Sequence, residues 1–410
     1  MRLTAILIFL LAVGSLLAQQ GGESDSLKIR LQELEKQVQK LQKQAEQQEL
    51  EQLKREASSY QPQQNEGSEK VFKTGQRSLQ ALNPELSLTG DIYGLSWLKN
   101  KPDDGMREGA HFRVLGLHFQ STLDPFSYTK VALEFLEEEI EVGEIYAVWT
   151  NLIPHSSIML GKFRQQFGVI NRWHSHALDQ FEFPLAVSSM LGEEGLNQIG
   201  ASFEITLPRL WAHSNILTLE ITDARNEELF GNERTAFGSI LAHLKNYYDL
   251  NASTYLEWGV TGLIGPNDGR DIWKSDFFTQ MGGFDLTLLW EPVNRAQYRS
   301  VTWRSELYAL KKQIPADKDI TSFGGYTYLD TKVSRRTHLG MRYDYAMPVE
   351  PDNDKLNIQQ LSPYVTFWQS PWVRWRLQYS YTFGNTIPVK PSGLILQITW
   401  SAGPHKHERY

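Results

Sequence analysis

The 410-residue chain contains no cysteine. That excludes disulfides and a lipid-modified cysteine after an export signal. An exported chain without disulfides needs another source of stability, such as a large fold or a closed barrel. Basic excess is also missing. The formal net charge is −7 and no basic tract interrupts it, which excludes nucleic acid as a partner. Beyond the first eighteen residues no run is apolar enough for a membrane-spanning helix. Mean hydropathy is −0.41. Such a value suits a soluble protein, and equally a transmembrane β-barrel whose alternating strands dilute the average.

What is present begins with an export signature. Arg2 supplies a short positive region, Ala5 to Leu17 an apolar core, and Ala18 a cleavage point, so residues 1–18 read as a signal peptide. Residues 24–57 read as a helix. Leu27, Leu31, Leu34, Val38, Leu41 and Ala45 alternate at spacings of four and three, an a/d seam over roughly three heptads. The expectation is a periplasmic coiled coil that self-associates, as a dimer or a trimer, with peptidoglycan or another periplasmic component within its reach. Residues 58–83 form a polar linker.

From residue 84 to 400 the period changes from helical to two. In "RWRLQYSYTF", Trp375, Leu377, Tyr379, Tyr381 and Phe383 share one face, and Arg374, Arg376, Gln378, Ser380 and Thr382 the other. Read this way throughout, the segment holds about sixteen strands. Links after odd-numbered strands are long or turn-rich, as in "KNKPDDGMREGA" and "DARNEELFGNERT", and links after even ones are short, as in "DPFS" and "QSPW". The link after the third strand is short and breaks the pattern. Alternating long and short ends are the signature of an all-β, transmembrane antiparallel barrel with outer loops and periplasmic turns. A charged second face (Glu204, Glu220, Glu257, Asp285, Arg304, Glu306, Arg342, Arg374, Arg376) then implies a wet interior. Trp97, Tyr128, Trp149, Trp290, Trp368 and Trp372, near strand ends, read as interface girdles. Residues 401–410 read as a dispensable extension.

One connection stands apart. "GKFRQQFGVINRWHSHALDQFEFP" starts as a strand and stops alternating. The next clear strand starts at Leu196, so residues 164–195 form the longest link. It carries Phe167, Ile170, Trp173, Phe181, Phe183 and Leu185, enough apolar surface to pack rather than float. It is expected to fold inward and narrow the lumen. The segment "GKFRQQFGVINRW…FEFPLAVSSMLGEEGLNQIGASF" resembles the corresponding segment of the phosphate-selective porin O and P family. The "NPELSLTGDIYG" stretch and the exported coiled coil resemble related porin-like proteins, some described as zinc-regulated TonB-dependent receptors. The resemblance implies a sixteen-stranded, trimeric outer-membrane channel with a constriction loop. Gln165-Gln166 stand where the family often has proline, and Asn197-Gln198 replace its later arginine, so phosphate selectivity does not carry over. A receptor would need a folded plug before the barrel, and only helix and linker stand there.

Candidate pore- or constriction-lining residues are Lys162, Arg164, Arg172, His174, His176, Asp179, Glu182, Arg304, Arg342, Arg374 and Arg376. The expected arrangement is a basic wall facing an acidic loop (Asp179, Glu182, Glu193, Glu194) across the constriction. His174, His176 and Asp179 are a metal-ligand set short of a fourth member; polar lining is the better reading, with no metal and no cofactor expected. No enzyme motif is found. The expected function is passive diffusion of small hydrophilic or charged solutes across the outer membrane of a Gram-negative-type envelope, with outer-membrane lipid around the barrel. The alternatives are a substrate- or metal-specific uptake receptor and a barrel-anchored structural tether.

Overall fold

The computed structural model describes residues 84–403, apart from 103–105, 194, 232–237, 315–317 and 354. The signal peptide, the heptad seam, the linker and the residues after 403 lie outside the described residues.

Sixteen strands close into one antiparallel barrel, each bonded to its sequence neighbours, with the first paired to the last. They are β1 Glu85–Lys99, β2 Gly109–Asp124, β3 Ser127–Phe135, β4 Ile140–Thr150, β5 Ser156–Arg164, β6 Asn197–Leu207, β7 Ser214–Thr222 and β8 Ser239–Asn251. The second half is β9 Thr254–Pro266, β10 Phe278–Trp290, β11 Ser300–Lys312, β12 Ile320–Lys332, β13 Thr337–Ala346, β14 Ile358–Ser370, β15 Val373–Gly384 and β16 Ser392–Ala402. The closing strand runs two residues past the expected end at Trp400, because Ser401 and Ala402 pair with Thr89 and Leu88. Closure leaves no strand edge, which supplies the stability that disulfides would otherwise give.

Alternation sorts the side chains as the period-two pattern expects. Trp375 and Leu377 are exposed on the outer face while Arg374 and Arg376 between them are buried. Phe284, Leu307, Leu329, Leu339, Met341, Val365 and Leu396 continue the apolar outer surface. Links at one barrel end are short, as at 125–126, 252–253 and 371–372. Those at the other end are longer, as at 223–238 and 347–357. Three expected girdle aromatics turn inward instead. Trp97 packs beside Leu95 and Phe181, Tyr128 beside Tyr146, Val148 and Phe163, and Trp368 lies under the Arg374 guanidinium. Strand-end position identifies an interface depth; the parity of the strand decides which way the ring points.

The loop after β5 folds into the barrel. It contains two 3-10 turns, Ile170–Arg172 and Ser175–Ala177, and one short helix, α1, Leu185–Leu191. Its Phe167, Val169, Ile170, Trp173, Leu178, Val187 and Met190 bury against Leu241, Leu263, Met281, Tyr308 and Tyr326 of the inner wall. At roughly 1.5–3 kcal/mol for each large apolar side chain removed from water, this face alone holds the loop firmly against β8–β12. The interior is therefore part apolar core and part polar network, not the uniformly wet lumen expected from its charges.

Candidate functional site

The loop ties to opposite walls. In a closed ring of sixteen strands β3 faces β11 and β7 faces β15. The imidazole of His174 meets Glu134 of β3 at 2.9 Å. The amides of Val169 and Ile170 donate to Glu306 of β11 at 3.2 and 2.9 Å. The Gln166 amide donates to Glu220 of β7 at 3.1 Å, and the Phe181 amide to Gln378 of β15 at 2.8 Å. The loop thus spans both diameters. Each of the sixteen strands contributes buried side chains to the interior, from Asp91 on β1 to Gln397 on β16.

Glu306 shows how the wall holds the loop. Its carboxylate also accepts from Tyr326 at 2.6 Å and Tyr308 at 2.8 Å, so four donors satisfy a charge buried to 1% exposure. Gly168 passes directly over it at φ +64°, and a Cβ there would overlap the carboxylate. The close approach and the left-handed backbone together require glycine.

The four expected wall arginines point inward and meet the loop directly. Arg374 donates to the carbonyls of His176 and Leu178 at 2.5 and 3.1 Å. Arg376 donates to those of Gln180 and Leu178 at 2.8 and 2.6 Å. Arg342 donates to the Glu182 carbonyl and to Asp344, both at 2.7 Å, and pairs with the Glu182 carboxylate at 3.8 Å. Arg304 donates to Thr287 and Tyr328 and lies over the Trp173 ring at 4.6 Å. Their exposures are 1, 2, 0 and 8% for Arg374, Arg376, Arg342 and Arg304. A loop laid across the wall leaves carbonyls that no strand can satisfy, and guanidinium groups supply the donors. A basic wall facing an acidic loop across a gap is therefore replaced by direct contact. Glu182 accepts from Gln360 and Gln378, and Asp179 from Tyr328. Glu194 lies outside the described residues.

Lys162 does not line the interior. It is in register with Ile145 and Ile199, which are 50 and 45% exposed on the outer face. Its ammonium turns to the Val142 carbonyl at 2.7 Å. Arg164 sits two residues on, where β5 ends, and is buried with its guanidinium 6.0 Å from the Phe183 ring centre. Arg172 acts electrostatically on Glu144 and Glu220.

His174 and His176 come together with rings stacked at 5.5 Å, joined by a third imidazole that the loop sequence does not contain, His118 of β2. Asp179 instead bonds Tyr328. The two nitrogens of His174 lie 2.9 Å from Glu134 and 3.0 Å from Glu144. Carboxylates only accept, so both nitrogens donate and the ring is an imidazolium with no lone pair for a metal. Burial alone would push its pKa down; the two carboxylate hydrogen bonds outweigh it and raise the value above the usual range. Among the described residues no group of three or more His, Asp or Glu side chains has metal-holding geometry.

At the short-link end, a cavity of about 560 Å³ opens beneath the loop. Lys332, Arg335, Arg336, Arg374 and Arg376 line it against Asp179 and Asp330, with Trp368 and His338. Arg335 and Arg336 are exposed there. Residues of the β12–β13 turn were not anticipated as lining; their basic cluster at a turn was the available signal.

No protein-family model matches the chain. A protein of Aquifex aeolicus described as uncharacterized is 29% identical over 127 residues, covering 31% of this chain and 26% of that one. Solved structures share the fold. An anion-selective porin from Comamonas acidovorans superposes with a TM-score of 0.54 at 10% identity, covering 78% of this chain and all of that one. The outer membrane channel DcaP of Acinetobacter baumannii gives 0.53 at 10% identity over 78% of this chain and 96% of its own. OmpT, an outer membrane protein of Vibrio cholerae solved in a trimer form, gives 0.52 at 11% over 78% and 99%. The chain is a closed sixteen-stranded antiparallel barrel of the architecture seen in outer-membrane porins.

Proposed function

We propose that this protein is an outer-membrane channel for passive diffusion of small hydrophilic or charged solutes, with the loop after β5 setting its permeability. The observation that carries the reading is the loop itself: it is folded inside a closed barrel and tied to β3, β7, β11 and β15. A tether needs only an anchor and has no use for a loop built into its lumen. The apolar outer face fits a lipid boundary. The basic cavity at the short-link end favours anions on the periplasmic side. The specific resemblance over 161–205 supports membership of the phosphate-selective porin O and P group without its phosphate preference. The export signal at 1–18, the coiled coil at 24–57 and the homo-trimer complete the proposal, with the heptad residues Leu27 to Ala45 as the oligomerisation seam.

Liposome swelling with sugars of graded size tests it. Uptake of the smallest with a sharp cutoff supports a narrow diffusion channel; exclusion of every solute from folded, inserted protein rejects it in favour of a closed receptor or tether.

A further inference from the structure

Where the loop crosses β8–β11, one row of the inner wall reads Lys245, Gly259, Asp285 and Glu306 in register. Every charge around it is partnered except Asp285. Lys245 pairs with Glu257 at 3.0 Å, Glu306 takes its four donors, and Arg304 is committed to Thr287, Tyr328 and the Trp173 ring. Asp285 is 0% exposed, and neither of its carboxylate oxygens has a hydrogen-bond partner among the described residues. The cations acting on it are Lys245 and Arg304, and the anions are Glu257 and Glu306. Three carboxylates against two cations leave one buried negative charge without a counterion, which is costly unless something neutralises it.

A second orphan faces it. His243 of β8 is 1% exposed, and its Nε2 has no partner among the described residues. Gly259 lets the two side chains meet: where a Cβ would stand on it, the Asp285 oxygens are 2.4 and 2.9 Å away and His243 Cε1 is 2.6 Å away. They do not bond each other, so one small species between them can serve both. Thr261 of β9 holds the other ring nitrogen, Nδ1, at 2.8 Å and accepts from the Gly168 amide at 3.3 Å. A hydroxyl oxygen has lone pairs for both donors, which leaves the Nε2 lone pair available. An imidazole nitrogen with carboxylate oxygens, in a pocket short of positive charge, is a donor set for Cu²⁺, Ni²⁺ or Zn²⁺. We propose that Asp285 and His243 hold a divalent transition-metal ion between them, the carboxylate through its oxygens and the imidazole through Nε2, with water completing the coordination. The ion clamps β8 to β10 across Gly259, beside the Thr261 hydroxyl that anchors Gly168 of the loop. This site does not depend on the channel reading.

Cu²⁺ alone is the probe, added at one equivalent to full-length protein stripped with chelator and refolded in detergent. Thermal unfolding and electron paramagnetic resonance are the readouts. Wild type is expected to gain roughly 5 °C in its unfolding midpoint and to show nitrogen coupling from a single imidazole. Asp285→Asn, which keeps the shape, loses the gain. His243→Gln loses both the gain and the nitrogen coupling. Thr261→Val, which removes only the group that orients the ring, is expected to weaken binding roughly tenfold and serves if the other variants do not fold. No gain in wild type, the result for a bridging water, overturns the proposal. So does a gain that persists in the variants, the result for an ion held by histidines elsewhere.

Discussion

Arg376→Met isolates the grip of the wall on the loop. The guanidinium donates to Gln180 and Leu178 carbonyls in the loop and to Gln397 in the wall. Methionine keeps most of the volume and removes the donors. A hydrogen bond to a charged group contributes about 1.5–3 kcal/mol. The Leu178 carbonyl keeps Arg374 as a partner, so the net loss of tethering is about 2–4 kcal/mol rather than the sum. That corresponds to a roughly 30- to 700-fold rise in the population with residues 178–180 released. The barrel should be unaffected, because β15 retains its ladder to β14 and β16. Single-channel recording in planar bilayers is the assay. The expected trace has larger conductance with frequent transitions, where wild type is small and steady. Matching traces in variant and wild type would show that these arginines do not hold the loop in place and that burial alone does.

Gly168→Ala forces a side chain into the Glu306 carboxylate at a left-handed φ; it should destabilise the loop by about 2 kcal/mol or more and expose Trp173, read as increased acrylamide quenching relative to a Trp173→Phe background. His174 has a raised pKa, so its contribution is complete below the ordinary histidine value and fades as pH rises through the folded one; the melting-temperature gap between wild type and His174→Gln should narrow at alkaline pH, and a widening gap would refute the sign. Arg335→Glu/Arg336→Glu, at the exposed rim of the basic cavity, should shift the reversal potential toward cations with conductance largely kept. Deleting 24–57 should loosen the oligomer on native mass analysis without unfolding the barrel.

Much of this architecture was legible because strand parity is a strong code. Arg374 and Arg376 alternate with Trp375 and Leu377, and burial separates them as the sequence alternation does. The loop was legible too, since a long link rich in Phe, Trp and Leu must find a surface. What parity could not reach is where a strand stops. Lys162 and Arg164 share parity, yet β5 ends at Arg164, so one faces outward and the other enters the interior. Nor does local sequence reveal partners across the barrel. His118 lies on β2, and Glu306 on β11 meets the amides of Val169 and Ile170 only because the loop crosses the lumen. The inner arginines read as solvated because nothing in their strands shows that carbonyls from elsewhere will cover them.

The central claim is that the loop after β5, and not the barrel, limits passage. Replacing residues 168–192 with a short Gly-Ser linker and recording single channels beside wild type tests it most directly. Small, steady wild-type conductance that rises several-fold on excision, toward that of an unobstructed sixteen-stranded pore, is the predicted result. Equal conductance before and after excision, or none in either, would contradict it.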